Sequence, residues 1–302
     1  MNLKLKKTKY CTICRSSDLK NISLVTNKIT NKRIKKKLFL IECNNCLHRT
    51  FSKIPSDSTL KKSYINDDPL IWGLLQNEPD NKEKNNNYKF SKIKQLDKHW
   101  IFEHIDINKK KNYFELGPGL CELYKTFYSK GWQCHGIEPK SFVKAPGIKK
   151  SFKDIKIKAD ISVATDVLEH VNDPVIYLKK INSIMKKNGK IFLTFPHSQS
   201  FKSIYFKDKW WMVAPFGHVN FFSKTSTSIM LEKSKFKIIF IKDFSYVQKK
   251  RLIRNILKLP LYLIKDLVSL NLKNFILRVE ESVLNILDLI NGDQLKVVAI
   301  KL

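Results

Sequence analysis

The sequence lacks any apolar run of the roughly 18 residues that a membrane-spanning helix needs. Its greasiest stretch, Leu257 to Leu270, is broken by Pro260, Lys265 and Asp266. The first residues, MNLKLKKTKY, hold no apolar core and no cleavage site, so no secretory signal is expected and the expected location is the cytoplasm. No internal repeat is visible, which speaks against a solenoid or other repeat architecture. Carboxylates are scarce: 27 Asp and Glu face 57 Lys and Arg, for a formal net charge of +30. Arginine is scarce in turn, the basic side chains being overwhelmingly lysine. The abundance of Lys, Asn and Ile fits a coding bias toward AAA-, AAT- and ATA-type codons. The functional alternative is an anionic partner such as RNA, a phosphorylated or nucleotide-linked substrate, or an acidic membrane surface. Charge alone does not choose among these.

What is present is a normal folding composition, 43% hydrophobic and 28% charged, on 302 residues. That length accommodates one ordinary domain and a small accessory module.

Of six cysteines, four form two matched pairs, Cys11-x2-Cys14 and Cys43-x2-Cys46, with 28 residues between the pairs. Each pair can sit on a tight turn that aims both sulfurs at one point, and two such turns supply four thiolates to a tetrahedral Zn2+. A reducing compartment disfavours the disulfide alternative. A closed four-sulfur site is structural, and the metal supplies folding energy that about fifty residues cannot bury for themselves. His48 is expected at the surface, and Cys121 and Cys134 as ordinary buried thiols. The module spans 1–55, and 56–112 reads as a connector with capping helices. Lys53 to Asp68 carries a Pro-containing link and a short helix, and Tyr88 to Ile105 places Phe90, Ile93, Leu96, Trp100 and Ile101 at helical spacing.

From Lys111 the pattern alternates strand and helix: NYFEL, CELYKTFYSKG, WQCHGIE, ISVATD, NDPVIYLKKINSIMKKNGK, KIFLTFP, FKIIFIKDF and LKVVAIKL. Such alternation argues for a mostly parallel sheet with helices on both faces. The first strand runs into Glu115-Leu116-Gly117-Pro118-Gly119 at the start of a helix, where glycines let backbone approach a ligand and unpaired N–H groups await it. A glycine turn alone is weak evidence. The next strand, however, ends in Glu138, nineteen residues after Gly119, where a carboxylate accepts hydrogen bonds from both ribose hydroxyls of an adenosine ligand.

These residues carry a resemblance. ELGPGLCELYKTFYSKGWQCHGIEP, then ATDVLEHVNDP, then KKNGKIFLTFP, resemble in content and order the class I S-adenosylmethionine-dependent methyltransferases (types 11, 12 and 23). A dehydrogenase would place a third glycine where this chain has Glu122. The resemblance implies a Rossmann-like, mostly parallel seven-stranded sheet over 113–302. It places Glu115, Gly117 and Gly119 at the methionine end of the cofactor, Glu138 at the ribose, and Asp166 beside the reacting centre. Only twenty-odd residues separate Glu138 from Asp160, and the adenine-contacting acid of the family has no clear counterpart, Asp154 being the nearest candidate.

Methyl transfer is an in-line displacement that mainly requires positioning, and an oxygen nucleophile also needs a base. Trp210 to Ser223 is where the resemblance places the acceptor pocket, with His218 expected as general base and Trp210 and Trp211 as an apolar wall. The layout also resembles the sugar C-methyltransferases, but those carry an acid where this chain has Gly217, and a further C-terminal domain. The favoured acceptor is therefore a small molecule or glycan, methylated at oxygen. RNA is the alternative substrate, disfavoured because Asp166-Val167-Leu168-Glu169 lacks the Asn/Asp-Pro-Pro-aromatic motif and because base reading favours arginine. A non-catalytic adaptor on the same fold is the remaining alternative. Residues 248–291 read as a helical insert before the last strand. Its stripes, Leu252 through Val268 and Ile276 through Ile290, suggest packing on the domain or in a homodimer, or else peripheral contact of 249–290 with an anionic membrane.

Overall fold

The two cysteine turns are built alike. In each, the residue after the second cysteine adopts a left-handed conformation (Arg15, φ +72°; Leu47, φ +57°) and returns its N–H to the carbonyl of the first cysteine, at 3.0 and 2.8 Å. The second turn joins two short strands of an antiparallel three-stranded sheet: β2 (Leu19–Leu24), β3 (Phe39–Cys43) and β4 (Arg49–Phe51). Beside it, β1 (Leu5–Lys7) pairs antiparallel with β5 (Lys53–Pro55). In this computed structural model the described residues are 5–26, 37–65, 90–139, 144–215, 217–245 and 272–302, with isolated positions between 260 and 269. Helix α1 (Asp57–Ile65) follows β5, as the connector sequence predicts.

From residue 112 the expected alternation appears. Strand β6 (Asn112–Leu116) leads to α2 (Glu122–Ser129), β7 (Gln133–Ile137), a two-residue β8 (Ile148–Lys149), β9 (Ala159–Thr165), α3 (Pro174–Ser183) and β10 (Met185–Pro196). Then come α4 (Phe201–Phe206), α5 (Lys224–Lys233), β11 (Phe236–Phe244), α6 (Leu272–Ile290) and β12 (Gln294–Lys301). The seven strands from β6 onward form one sheet in the order β11-β12-β10-β9-β6-β7-β8, parallel except that β12 runs antiparallel to both neighbours. Successive residues alternate between its faces. Tyr113, Val163 and Phe192 pack with α2 on one side, while Phe114, Ala164 and Leu193 pack with α3 and α5 on the other.

Three expectations change. Tyr88 to Ile105 is not a helix: among its described residues only the short 3-10 turns Phe90–Lys92 and Trp100–Glu103 form. Its apolar residues still cover Tyr113 and Phe127, so the pattern marked a buried side rather than a helix. The helix expected to end at Gly189 stops at Ser183, because Met185 already pairs with Ala159 in the sheet. In the insert, most of the first stripe lies outside the described residues. The second lies on α6, where Leu272, Ile276, Val279, Val283 and Ile286 face solvent rather than the domain. No helix among the described residues is long and apolar enough to cross a membrane.

Candidate functional site

The glycine turn after β6 is fixed by sterics. Gly117 (φ +70°) occupies left-handed space, and a Cβ there would meet Val167 Cγ2 at 2.7 Å. Gly119 (φ +50°) is also left-handed, but a Cβ there meets nothing within 4 Å: the turn faces an open cradle. The Gly119 N–H donates to Glu138 Oε2 at 3.3 Å, joining the turn to the tip of β7. Glu115 lies just below, 4% exposed, its Oε2 accepting the Tyr113 hydroxyl at 2.7 Å. Burial pushes the Glu115 carboxyl up to about 7; the Tyr113 hydrogen bond opposes this and the charge of Glu138 adds to it. Two buried carboxylates thus flank an open glycine turn. They suit a ligand with an ammonium at one end and ribose hydroxyls at the other.

Sequence reasoning missed Tyr64. It projects from α1, and its hydroxyl donates to Glu138 Oε1 at 3.3 Å. A lone tyrosine in a connector carries no motif, and only folding brings it to a carboxylate 74 residues away. Asp154 ends an exposed 3-10 turn after β8, and among the described residues no helix lies between β7 and β9, in keeping with the short spacing.

Asp166 follows β9 in left-handed space (φ +54°) and accepts the Thr194 hydroxyl at 3.0 Å. The turn after it, Leu168–His170, meets the segment around His218. The Glu169 carbonyl accepts the N–H groups of Val219 (2.7 Å) and Asn220 (3.2 Å), while Asn220 Nδ2 donates to the carbonyls of Leu168 and Val171. His170 Nδ1 donates to the Gly217 carbonyl at 2.9 Å, and His218 Nδ1 donates to the Met212 carbonyl at 2.8 Å. The ring centroids are 4.8 Å apart. Burial lowers both imidazoles, His218 to about 3 with His170 adding to the effect, so both are neutral at physiological pH. Burial, reinforced by Asp166, raises the Glu169 carboxyl, whose Oε2 finds no hydrogen-bond partner.

Trp210 and Trp211 do not form one wall, because adjacent residues point apart. Trp210 is buried against Val25, Leu40 and Phe51 of the cysteine module. Trp211 is 47% exposed and donates its indole N–H to Asp293. Ser223 caps α5 through a reciprocal bond with Ser226.

The sulfurs of Cys11, Cys14, Cys43 and Cys46 all lie within 4.8 Å of one another, with Cys11–Cys46 at 3.5 Å and Cys14–Cys43 at 3.4 Å. Four thiolates about a tetrahedral ion at about 2.3 Å stand roughly 3.8 Å apart, so the donor set fits zinc. His48 is not at the surface. It is 1% exposed, packs on Phe222 and directs Nδ1 at Cys11 Sγ at 3.8 Å, because the module's sheet is covered by the segment it supports. Thr50 donates to the Val219 carbonyl, Ser223 to the Cys46 carbonyl, and Arg49 bridges Phe221 through backbone. Cys121 and Cys134 are buried thiols, as expected.

A mostly parallel sheet whose first strand ends in an open glycine turn between two carboxylates fits a Rossmann-like S-adenosylmethionine-dependent methyltransferase. Residues 91–240 match the model of a family described as a methyltransferase domain, and the chain carries a domain of that family. Among solved structures it is similar to an S-adenosylmethionine-dependent methyltransferase from Methanosarcina mazei (12% identity, 68% of this chain and 99% of that one, TM-score 0.41). It is also similar to phosphoethanolamine N-methyltransferase 2 of Haemonchus contortus (13%, 84% and 63%, 0.44) and to a mitomycin 7-O-methyltransferase (13%, 66% and 51%, 0.39). No curated protein sequence matches the chain.

Proposed function

We propose that the enzyme transfers the methyl group of S-adenosylmethionine to a hydroxyl oxygen of a small-molecule or glycan acceptor. The observation that carries the reading is the pair of neutral imidazoles locked by backbone carbonyls beside Asp166, on a turn that packs against the cofactor glycines. When bound, the cofactor supplies an electrophilic methyl on a sulfonium. Glu115 holds its ammonium, Gly117 and Gly119 let its amino-acid moiety lie against backbone, and Glu138 accepts from the ribose. Asp166 and His218 serve the acceptor. With Nδ1 committed to Met212, His218 carries its lone pair on Nε2. Burial holds the imidazole down at about 3, so His218 stays neutral and Nε2 is an acceptor for the hydroxyl of the bound acceptor. The four thiolates hold structural Zn2+.

The experiment is transfer from methyl-labelled S-adenosylmethionine to a panel of hydroxylated small molecules and glycans, with the product read by NMR. An O-methyl product, reduced at least about a hundredfold in His218→Ala with cofactor affinity kept, supports the assignment. An N- or C-methyl product contradicts the oxygen assignment.

A further inference from the structure

We propose that Glu169, His170 and His218 form a divalent-cation site that presents an oxygen pair of the acceptor to the methyl donor. The inference deepens the acceptor-pocket reading and rests on it for the acceptor, though not for ion binding itself.

Three observations support it. One ligand atom from each residue lies within 4.8 Å of the other two. An ion held at about 2.1 Å from each ligand needs them within roughly 4.2 Å of one another, about half an ångström inside that limit. Each imidazole donates Nδ1–H to a backbone carbonyl, Gly217 for His170 and Met212 for His218. That outer contact fixes the tautomer with the lone pair on Nε2 and sets the ring plane, as metal-binding histidines require. Finally, one oxygen of the built-in carboxylate has no protein partner. Glu169 is 1% exposed, and its Oε2 has no hydrogen bond. A buried carboxylate oxygen left unpaired is costly, and a cation beside it removes the cost.

The site is also rigid. The Glu169 carbonyl accepts from Val219 and Asn220, so the turn that bears Glu169 and His170 is stitched to the segment that bears His218. Two imidazoles and a carboxylate suit Mn2+, Fe2+, Co2+ or Zn2+ and leave coordination positions open. Those positions take a hydroxyl and a neighbouring oxygen, as in a vicinal diol or a hydroxy acid. Coordination lowers the hydroxyl pKa; its proton leaves to solvent, and the oxygen forms the new C–O bond as the S–CH3 bond breaks.

The test titrates the zinc-loaded full chain with Mn2+, following the loss of the free-ion EPR signal, with calorimetric S-adenosylhomocysteine binding on the same samples. Zinc already on the thiolates keeps Mn2+, a hard ion, from the cysteine module. The expected result is one bound Mn2+, weakened at least tenfold by Glu169→Gln and by His218→Ala while S-adenosylhomocysteine binding persists. Glu169→Gln is isosteric and guards against a folding artefact in the alanine variant. A wild type that binds S-adenosylhomocysteine but no Mn2+ overturns the cation site and leaves the methyltransferase reading intact. Equal Mn2+ binding in folded variants overturns it too, by placing the ion elsewhere. A folded wild type that binds neither ligand overturns both.

Discussion

The Tyr64 hydroxyl donates to Glu138 across 3.3 Å, tying the connector helix α1 to the carboxylate at the tip of β7. That carboxylate is almost fully buried and also accepts the Gly119 N–H, so Tyr64 helps set its orientation before any ribose arrives. Hydrogen bonds to charged groups contribute about 1.5–3 kcal/mol when buried. Tyr64→Phe is therefore expected to weaken S-adenosylhomocysteine by roughly tenfold in calorimetry. Unchanged affinity would place the tyrosine outside the cofactor site.

Glu115, as proposed partner of the cofactor ammonium, is expected to give cofactor binding a pH dependence. Its carboxyl is pushed up to about 7 in the free protein, while the ammonium of the cofactor favours the ionised form. Binding then requires proton loss below pH 7 and none well above it. Affinity is expected to fall about tenfold from pH 8 to pH 6 and to level off above pH 8. Glu115→Gln is expected to bind more weakly throughout and to flatten that profile. A wild-type profile that is already flat would show that Glu115 does not meet the ammonium.

Arg49 joins the cysteine module to the methyltransferase domain. Its Nε contacts Glu42 Oε2 at 2.7 Å, and its Nη1 contacts the carbonyl and hydroxyl of Ser203 on α4. Burial alone would raise the Glu42 carboxyl, but Arg49, together with Gln199 and Lys20, outweighs it and holds the group below its ordinary value. Removing one partner of a buried pair costs about 3–5 kcal/mol, so Arg49→Ala is expected to shift urea unfolding by that amount. A shift below about 1 kcal/mol, the range of exposed pairs, would contradict a buried bridge.

The cysteine module is bonded to the segment proposed to line the acceptor pocket, through Thr50 to Val219 and Cys46 to Ser223. Stripping the thiolate-bound metal with a chelator is expected to abolish methyl transfer while leaving S-adenosylhomocysteine binding at Glu115 and Glu138 largely intact. Loss of both together would mean that the module holds up the whole domain.

Much of this was legible in the chain. The strand-turn-helix around Gly117 and the matched cysteine pairs are local patterns, each dictated by a few neighbouring residues, and both appear where the sequence places them. The same locality explains the misses. Phe90 to Ile105 has helical spacing, yet its residues answer to the α2 face they cover and fold as separate turns. His48 looks exposed in sequence because nothing nearby says that Phe222, 174 residues away, will cover it. The Glu169–His170–His218 cluster joins residues 48 apart, and its defining feature, the carbonyls that lock both rings, belongs to backbone geometry rather than to residue type.

The most direct measurement is calorimetric titration of the zinc-replete protein with S-adenosylhomocysteine, wild type against Glu138→Ala. The account predicts saturable one-to-one binding that weakens at least about tenfold on substitution, the scale of a lost charge-assisted hydrogen bond. A folded wild type that does not bind, or a variant that binds equally well, would contradict it.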